Sequence, residues 1–164
     1  SSATGRFSHR NSEERRRIMA YKRPESVLVV LYNEHNQVLI MQRNDDADFW
    51  QSVTGTIEEG ELPLATAYRE VAEETGVVLS SESGDIIDCQ HINQYEIRPE
   101  WRYRYPPDAF VNTEYVFVVQ ISSQVPIILT EHSAYEWVEK SVAAERVWSP
   151  SNQAAILAFV PESK

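Results

Sequence analysis

Residues 55–77 read GTIEEGELPLATAYREVAEETGV, and this stretch decides how the rest of the chain is read. Pro63 suits the first turn of a helix, because its missing N–H is one that a helix start leaves unpaired. Gly76 can take the left-handed conformation that ends a helix, so the spacing predicts a helix over Pro63–Thr75. Leu64, Ala67, Tyr68, Val71 and Thr75 recur at intervals of three and four and are expected to form its buried stripe. Leu62 stands where a capping Ser, Thr or Asp would be expected, so its own side chain does not cap the helix. At about 100° per residue, Glu70, Glu73 and Glu74 share one arc of about 100°, centred well away from Val71. Three like charges so close repel and destabilise a helix, unless a positive group sits among them. Arg69 lies four residues before Glu73 and can pair with it. Glu58, Glu59 and Glu61 add charge in the preceding loop, which Gly55 and Gly60 let fold tightly. A solvated acidic face would be the commoner meaning of the charge cluster taken alone. Magnesium is the natural alternative, since it takes oxygen ligands and binds through a few carboxylates plus substrate phosphates.

The spacing makes the difference. Gly55, five residues, Glu61, seven residues, then Arg69-Glu70-Val71-Ala72-Glu73-Glu74-Thr75-Gly76-Val77 resembles the signature of the Nudix hydrolases at each of its nine defined positions. The resemblance implies an α/β fold, an α/β/α sandwich around a mixed β-sheet, and cleavage of a phosphoanhydride bond. By it, Glu70 and Glu74 are metal ligands, Glu73 a further ligand or a water-orienting base, and Arg69 the partner that fixes the acids. The Gly55 carbonyl also faces the metal, and magnesium, or manganese in its place, is the implied cofactor. Many members carry Pro-Gly-Gly where this chain reads Thr54-Gly55-Thr56, which leaves the acids intact and alters the loop.

A narrower resemblance, to a branch of the family that releases pyrophosphate from a pterin triphosphate in folate biosynthesis, rests on pieces spread over residues 21–152. These are Tyr21-Lys22-Arg23-Pro24, Gln42-Arg43, Phe49 through Gly55, Asn112-Thr113-Glu114 and Thr130-Glu131-His132. It implies substrate contacts from Lys22, Arg43, Thr54, Tyr95, Glu96, Ile97, Arg98 and Ser149, and Glu131 as metal ligand or base. Arg98 departs from the apolar residue expected there. The physical roles are plausible: Arg43 can fork onto phosphate oxygens, and Lys22 acts as a point charge. Surface solubility for Lys22 and a salt bridge from Arg43 to Asp45 or Asp46 are the plainer readings without the resemblance. Tyr95 or Trp50 can stack on a flat heterocycle, though core packing suits Trp50 better. His132 reads as a local hydrogen-bonding residue.

Around the signature, the near-continuous apolar run Ser26–Tyr32 predicts a strand covered on both faces. Gln37–Gln42 forms a hairpin with it, and Gln51–Thr54 is a short extended piece. Ile86–Tyr95, Thr113–Ile121 and Tyr135–Val138 read as further strands. Arg98–Tyr105 is a candidate strand on its Arg-Tyr alternation. Val142–Val147 is a weak helix, and Pro150–Val160 a last one.

At 164 residues the chain fits one domain, with 42% hydrophobic and 24% charged residues, ordinary for a globular protein. Residues 1–18 are expected to be a leader before a start at Met19, with a basic arm as the alternative, and 19–164 the hydrolase domain. The first 18 residues carry five Arg and two Glu, so of the net charge of −10 the remainder holds −13. That acidity argues against a nucleic-acid partner, and no apolar run of about 18 residues suggests a membrane span. The lone Cys89 reads as a small hydrophobe, and a cytoplasmic setting is expected from it. The expected partner is a small-molecule triphosphate, with oligomeric state open. A housekeeping pyrophosphatase of (deoxy)nucleoside triphosphates, a non-catalytic ligand sensor and an acidic interaction domain are the other readings. Specificity constants for the pterin triphosphate and dATP separate the first; a sensor would usually lack some of the signature acids or carry an added DNA-binding domain, and an acidic interaction domain would show no magnesium-dependent pyrophosphate release.

Overall fold

In the computed structural model, residues 23–44, 48–79, 84–107, 109–130 and 132–162 are described. Seven strands form one mixed sheet: β1 (Glu25–Tyr32), β2 (Val38–Arg43), β3 (Trp50–Gln51), β4 (Val53–Thr56), β5 (Ile86–Glu96), β6 (Val111–Gln120) and β7 (His132–Val138). Among the described residues three α-helices accompany them: α1 (Pro63–Thr75), α2 (Lys140–Arg146) and α3 (Pro150–Phe159). The strand order is β3-β2-β1-β6-β5, with β4 on β1 and β7 on β2.

β1 is the axis of the sheet. It runs parallel to β6 from Glu25↔Thr113 to Tyr32↔Gln120. Its other edge is shared, because β4 pairs antiparallel with residues 26–29 and β2 meets it at Tyr32. The continuous apolar run seen in the sequence has the reason expected of it, since Val27, Leu28, Val29, Val30 and Leu31 are all at most 1% exposed. Alternate residues serve opposite layers. Val27, Val29 and Leu31 join Phe117, Val119, Ala67 and Val71 under α1. Leu28 and Val30 join Val116, Val118, Ala143, Ala155 and Ile156 under α2 and α3. The result is the expected α/β/α sandwich.

α1 has the limits that Pro63 and Gly76 predict; Gly76 has φ 75° and donates its N–H to the Ala72 carbonyl. Leu62 makes no side-chain cap. Two details of the helix differ from expectation. Leu64 is 38% exposed rather than part of the stripe, and Glu70 and Glu74 are buried at 9% and 2%. Only Glu73 of the three acids stands in the open, with its side chain 56% exposed. The candidate strand Arg98–Tyr105 is instead a 3₁₀ helix over Pro99–Arg104. Pro99 cannot donate to a ladder, and its fixed φ favours a first helical turn, so the Arg-Tyr alternation does not become a strand. Cys89 is half-buried against the second layer, and burial pushes its thiol up to about 11. Among the described residues, no helix is long and apolar enough to cross a membrane.

Candidate active site

β4 and α1 meet at Gly55. A β-carbon on residue 55 would lie 2.1 Å from Cδ and 2.2 Å from Cγ of Glu70, so only glycine leaves room for that side chain. Glu70 lies against the β4 backbone, with Glu74 one turn further along α1. The two carboxyl groups share a hydrogen bond. Burial pushes the Glu70 carboxyl above its ordinary value, and the nearby Glu73 charge adds to this.

Arg69 organises the acids. Its Nε donates to Glu61 Oε2 at 2.8 Å and its Nη2 to Glu61 Oε1 at 2.9 Å, a bidentate fork. Nη1 donates to Glu70 Oε1 at 2.7 Å and to Glu73 Oε2 at 3.2 Å. Nη2 also reaches the Thr56 carbonyl at 3.0 Å. The expected pairing with Glu73 is therefore present, but it is the most distant of the hydrogen-bonded carboxylate contacts. Glu61 is the principal partner. It also accepts from Thr66 Oγ1 at 2.7 Å and from the Glu58 amide at 3.1 Å. The Arg69 guanidinium, followed by these donors, holds the Glu61 carboxyl down at about 2. The loop is thus clamped to the helix through an arginine that stays charged at every accessible pH.

His132, at the start of β7, is buried beside Glu74, with Nε2 3.7 Å from Glu74 Oε1. Its Nε2 is also 3.3 Å from Gln51 Nε2, and Trp148 Nε1 donates to Gln51 Oε1 at 3.2 Å. His132 is a hydrogen-bonding residue, as read, but its partners come from across the fold rather than nearby in sequence. Thr130 Oγ1 donates to the Glu73 carbonyl at 2.7 Å and ties this segment to α1.

These groups open onto one cavity of about 950 Å³. Of the residues expected at the site, Arg43, Thr54, Gly55, Glu70, Glu73, Glu74, Tyr95, Glu96, Ile97, Arg98 and Ser149 line it. Arg69 stands behind the acids. Lys22, Glu131 and the leader over residues 1–18 lie outside the described residues, as do Asp45 and Asp46. Phe49 and Trp148 stack with centroids 5.3 Å apart. The Arg98 guanidinium lies 5.6 Å from the Phe49 centroid and 5.7 Å from that of Trp148. That aromatic bracket accounts for an arginine where an apolar residue was expected. Trp50 packs against the second layer, as its apolar neighbours suggested, and carries the Arg146 guanidinium 4.3 Å from its ring centroid. Sequence reading did not single out Gln51, Ser26 or Asn152 as cavity residues. Each meets a side chain distant in sequence: Gln51 meets His132 and Trp148, Ser26 meets Asn112, and Asn152 meets Ser52.

The NUDIX domain family matches residues 22–158. Over 141 residues the chain is 45% identical to the dihydroneopterin triphosphate diphosphatase of Escherichia coli strain K12, covering 85% of this chain and 94% of the relative. Over 144 residues it is 41% identical to the enzyme of that name from Haemophilus influenzae, covering 87% and 91%. The solved structure of the E. coli dihydroneopterin triphosphate pyrophosphohydrolase superposes with a TM-score of 0.81, at 45% identity, over 86% of this chain and 97% of that one. The chain belongs to the Nudix family of hydrolases. It is a pyrophosphohydrolase of that family.

Nudix hydrolases use divalent metal ions, and the residues here fit one. Glu70 and Glu74 bring two buried carboxyl groups into contact, and the single Arg69 charge beside them is shared among Glu61, Glu70 and Glu73, so full ionisation of the pair favours a further positive charge. The donors are all hard oxygens, the type that magnesium, calcium and manganese prefer. Among the described residues, no three acid, His or Cys side chains converge as a ready-made cage. An ion here would therefore be completed by backbone oxygen, water and substrate phosphate, which is how magnesium is usually held.

Proposed function

We propose that this chain hydrolyses dihydroneopterin triphosphate to the monophosphate and pyrophosphate, with magnesium as the metal. The observation that carries the reading is the pair of relatives of that name, which match this chain at 41–45% identity over nearly their whole length. The cavity suits the substrate, since its lining combines the carboxylates Glu70 and Glu74, the arginines Arg43, Arg98 and Arg104, and polar groups such as Ser26, Ser149 and Asn152.

In this reading Glu70 and Glu74 would hold the metal, the Gly55 carbonyl would add a backbone oxygen, and Glu73 and Glu131 would complete the set as ligand or base. When bound, the ion neutralises phosphate oxygens and lowers the pKa of the attacking water. The protein's part is positioning and electrostatics. Arg69 fixes the direction of Glu70 and Glu73 through its hydrogen bonds. Burial of Glu74 keeps bulk water from competing at its oxygens. Arg43 and Lys22 take the charge of the phosphate chain, while Thr54, Ser149 and the Tyr95–Arg98 segment bound the rest of the substrate. Water attacks one phosphorus and gives up a proton to the base, the P–O bond to the bridging oxygen breaks, and its electron pair stays on that oxygen, so that monophosphate and pyrophosphate separate.

The test is pyrophosphate release, assayed against orthophosphate, from dihydroneopterin triphosphate and dATP with magnesium. A higher kcat/KM for the pterin is expected. A preference for dATP would make the chain a nucleoside triphosphate pyrophosphatase instead.

A further inference from the structure

The second-layer face of the sheet is apolar through Leu28 and Val30 of β1 and Val116 and Val118 of β6. The same alternation brings Ser26 and Glu114 to that face at its cavity end, as direct register partners. Glu114 is 4% exposed, yet it lines the cavity. A carboxyl group at the end of an apolar row is costly to bury. The fold supplies it with only a few donors. Asn93, its register partner on β5, donates from Nδ2 to Oε1 at 3.2 Å. Ser151, in the first turn of α3, also hydrogen-bonds it. Burial pushes this carboxyl above its ordinary value despite both. A ligand bearing N–H donors would restore what burial removes.

The neighbouring groups have the complementary polarity. Asn112 Nδ2 donates to Ser26 Oγ at 2.8 Å and to Tyr95 Oη at 3.0 Å. That commits both oxygens as acceptors and leaves the hydroxyl hydrogens to each other and to the cavity. The Asn112 Oδ1, buried behind them, has no hydrogen-bond partner. This end of the cavity therefore sets carboxylate acceptors beside hydroxyl donors.

We propose that Glu114, with Ser26 and Tyr95 beside it, reads the 2-amino-4-oxo edge of the substrate's heterocycle. The ring N–H and the amino group donate to the Glu114 oxygens, and the ring carbonyl accepts from a hydroxyl of Ser26 or Tyr95. Glu114 is thus a specificity-determining residue two strands across the sheet from β4, against which Glu70 lies. The assignment rests on the proposed function for its substrate, but it specifies an edge that guanine shares and adenine lacks.

The experiment compares wild type with Glu114→Gln on dihydroneopterin triphosphate, dGTP and dATP under saturating magnesium. The amide presents a donor where an acceptor is needed. A loss of about 10–100-fold in kcat/KM is expected for the first two substrates, the range for one bidentate edge contact. The ratio of either to dATP falls with it, while the melting temperature does not drop, because the variant removes a buried ionisable group. An equal loss on all three substrates, or no loss, overturns the proposal. Asn93→Ala, which loosens Glu114 without replacing it, should give a smaller loss with the same ranking. A uniform loss there also counts against the assignment. Should wild type release no pyrophosphate from dihydroneopterin triphosphate, the functional reading falls, and Glu114 is judged on the dGTP to dATP ratio alone.

Discussion

Glu70 occupies the space where residue 55 would carry a β-carbon, with its carboxyl carbon 2.1 Å from that point. The glycine of the signature is thus a slot in β4, cut to the width of one glutamate side chain. Gly55→Ala must displace Glu70 or bend β4. Turnover should fall by about 100-fold, the scale of a misplacement of about 1 Å at a reacting centre. Overpacking of this kind destabilises by about 1–3 kcal/mol. Steady-state kinetics and thermal melting of the same preparation check both.

Glu74 is buried in contact with a second acid, so without metal its charge brings little to the fold. Glu74→Gln should melt at or above the wild-type temperature in EDTA. Wild type should gain about 2.7 kcal/mol when magnesium is raised to 100 times its Kd, and the variant should gain little. Turnover should drop more than about 100-fold, beyond the loss usual for an outer-shell partner. Near-normal activity would remove Glu74 from the metal shell.

Arg69 joins Glu61, Glu70, Glu73 and the Thr56 carbonyl through one planar fork. Lysine keeps the charge and loses the geometry. Arg69→Lys should cost about 1.5–3 kcal/mol, the range for a hydrogen bond to a charged group. It should also lower kcat more than it raises KM, because it misdirects the metal-binding acids and leaves the residues proposed to bound the heterocycle in place. Urea denaturation and a KM-against-kcat comparison would show this.

The turn between β1 and β2 is clasped to the segment after β6 by Glu34, which accepts from the Ser123 hydroxyl and, at 2.9 Å, from its backbone N–H. These donors lower the Glu34 carboxyl from 4.5 to about 2. A depressed carboxyl stabilises the fold above its unfolded value, and the effect is lost as pH falls through the folded one. Ser123→Ala should therefore be less stable than wild type at pH 6. The difference should close between pH 4.5 and 2, as read by urea unfolding across that range.

How much of this was legible in the sequence depended on whether the cause was local. The limits of α1 are set by Pro63 and Gly76, and the burial of β1 by its apolar run, so both could be read directly. A helical wheel sets Glu74 about 60° from Val71, at the edge of the buried stripe, and Glu70 about 100° from it, but it knows nothing of the slot at Gly55. Their burial is a property of two elements together. The Arg-Tyr alternation of residues 102–105 imitates a strand, and only Pro99 hinted that the segment turns. His132 and Gln51 are 81 residues apart and meet beside Glu74, which no spacing rule reaches. Glu114 stood inside a motif that the sequence resemblance used. Its lining of the cavity became visible only when β1 and β6 were paired.

That pairing has a kinetic side. β1 and β6 run parallel with every partner 88 residues distant in sequence, as at Glu25↔Thr113. Long-range parallel contacts must overcome the entropy of closing a large loop before they are rewarded, and they form slowly. The carboxylate helix and β4 can associate earlier, being neighbours along the chain. During refolding, affinity for a divalent ion should therefore return before affinity for the heterocycle, so ligand capture would time the last event of assembly.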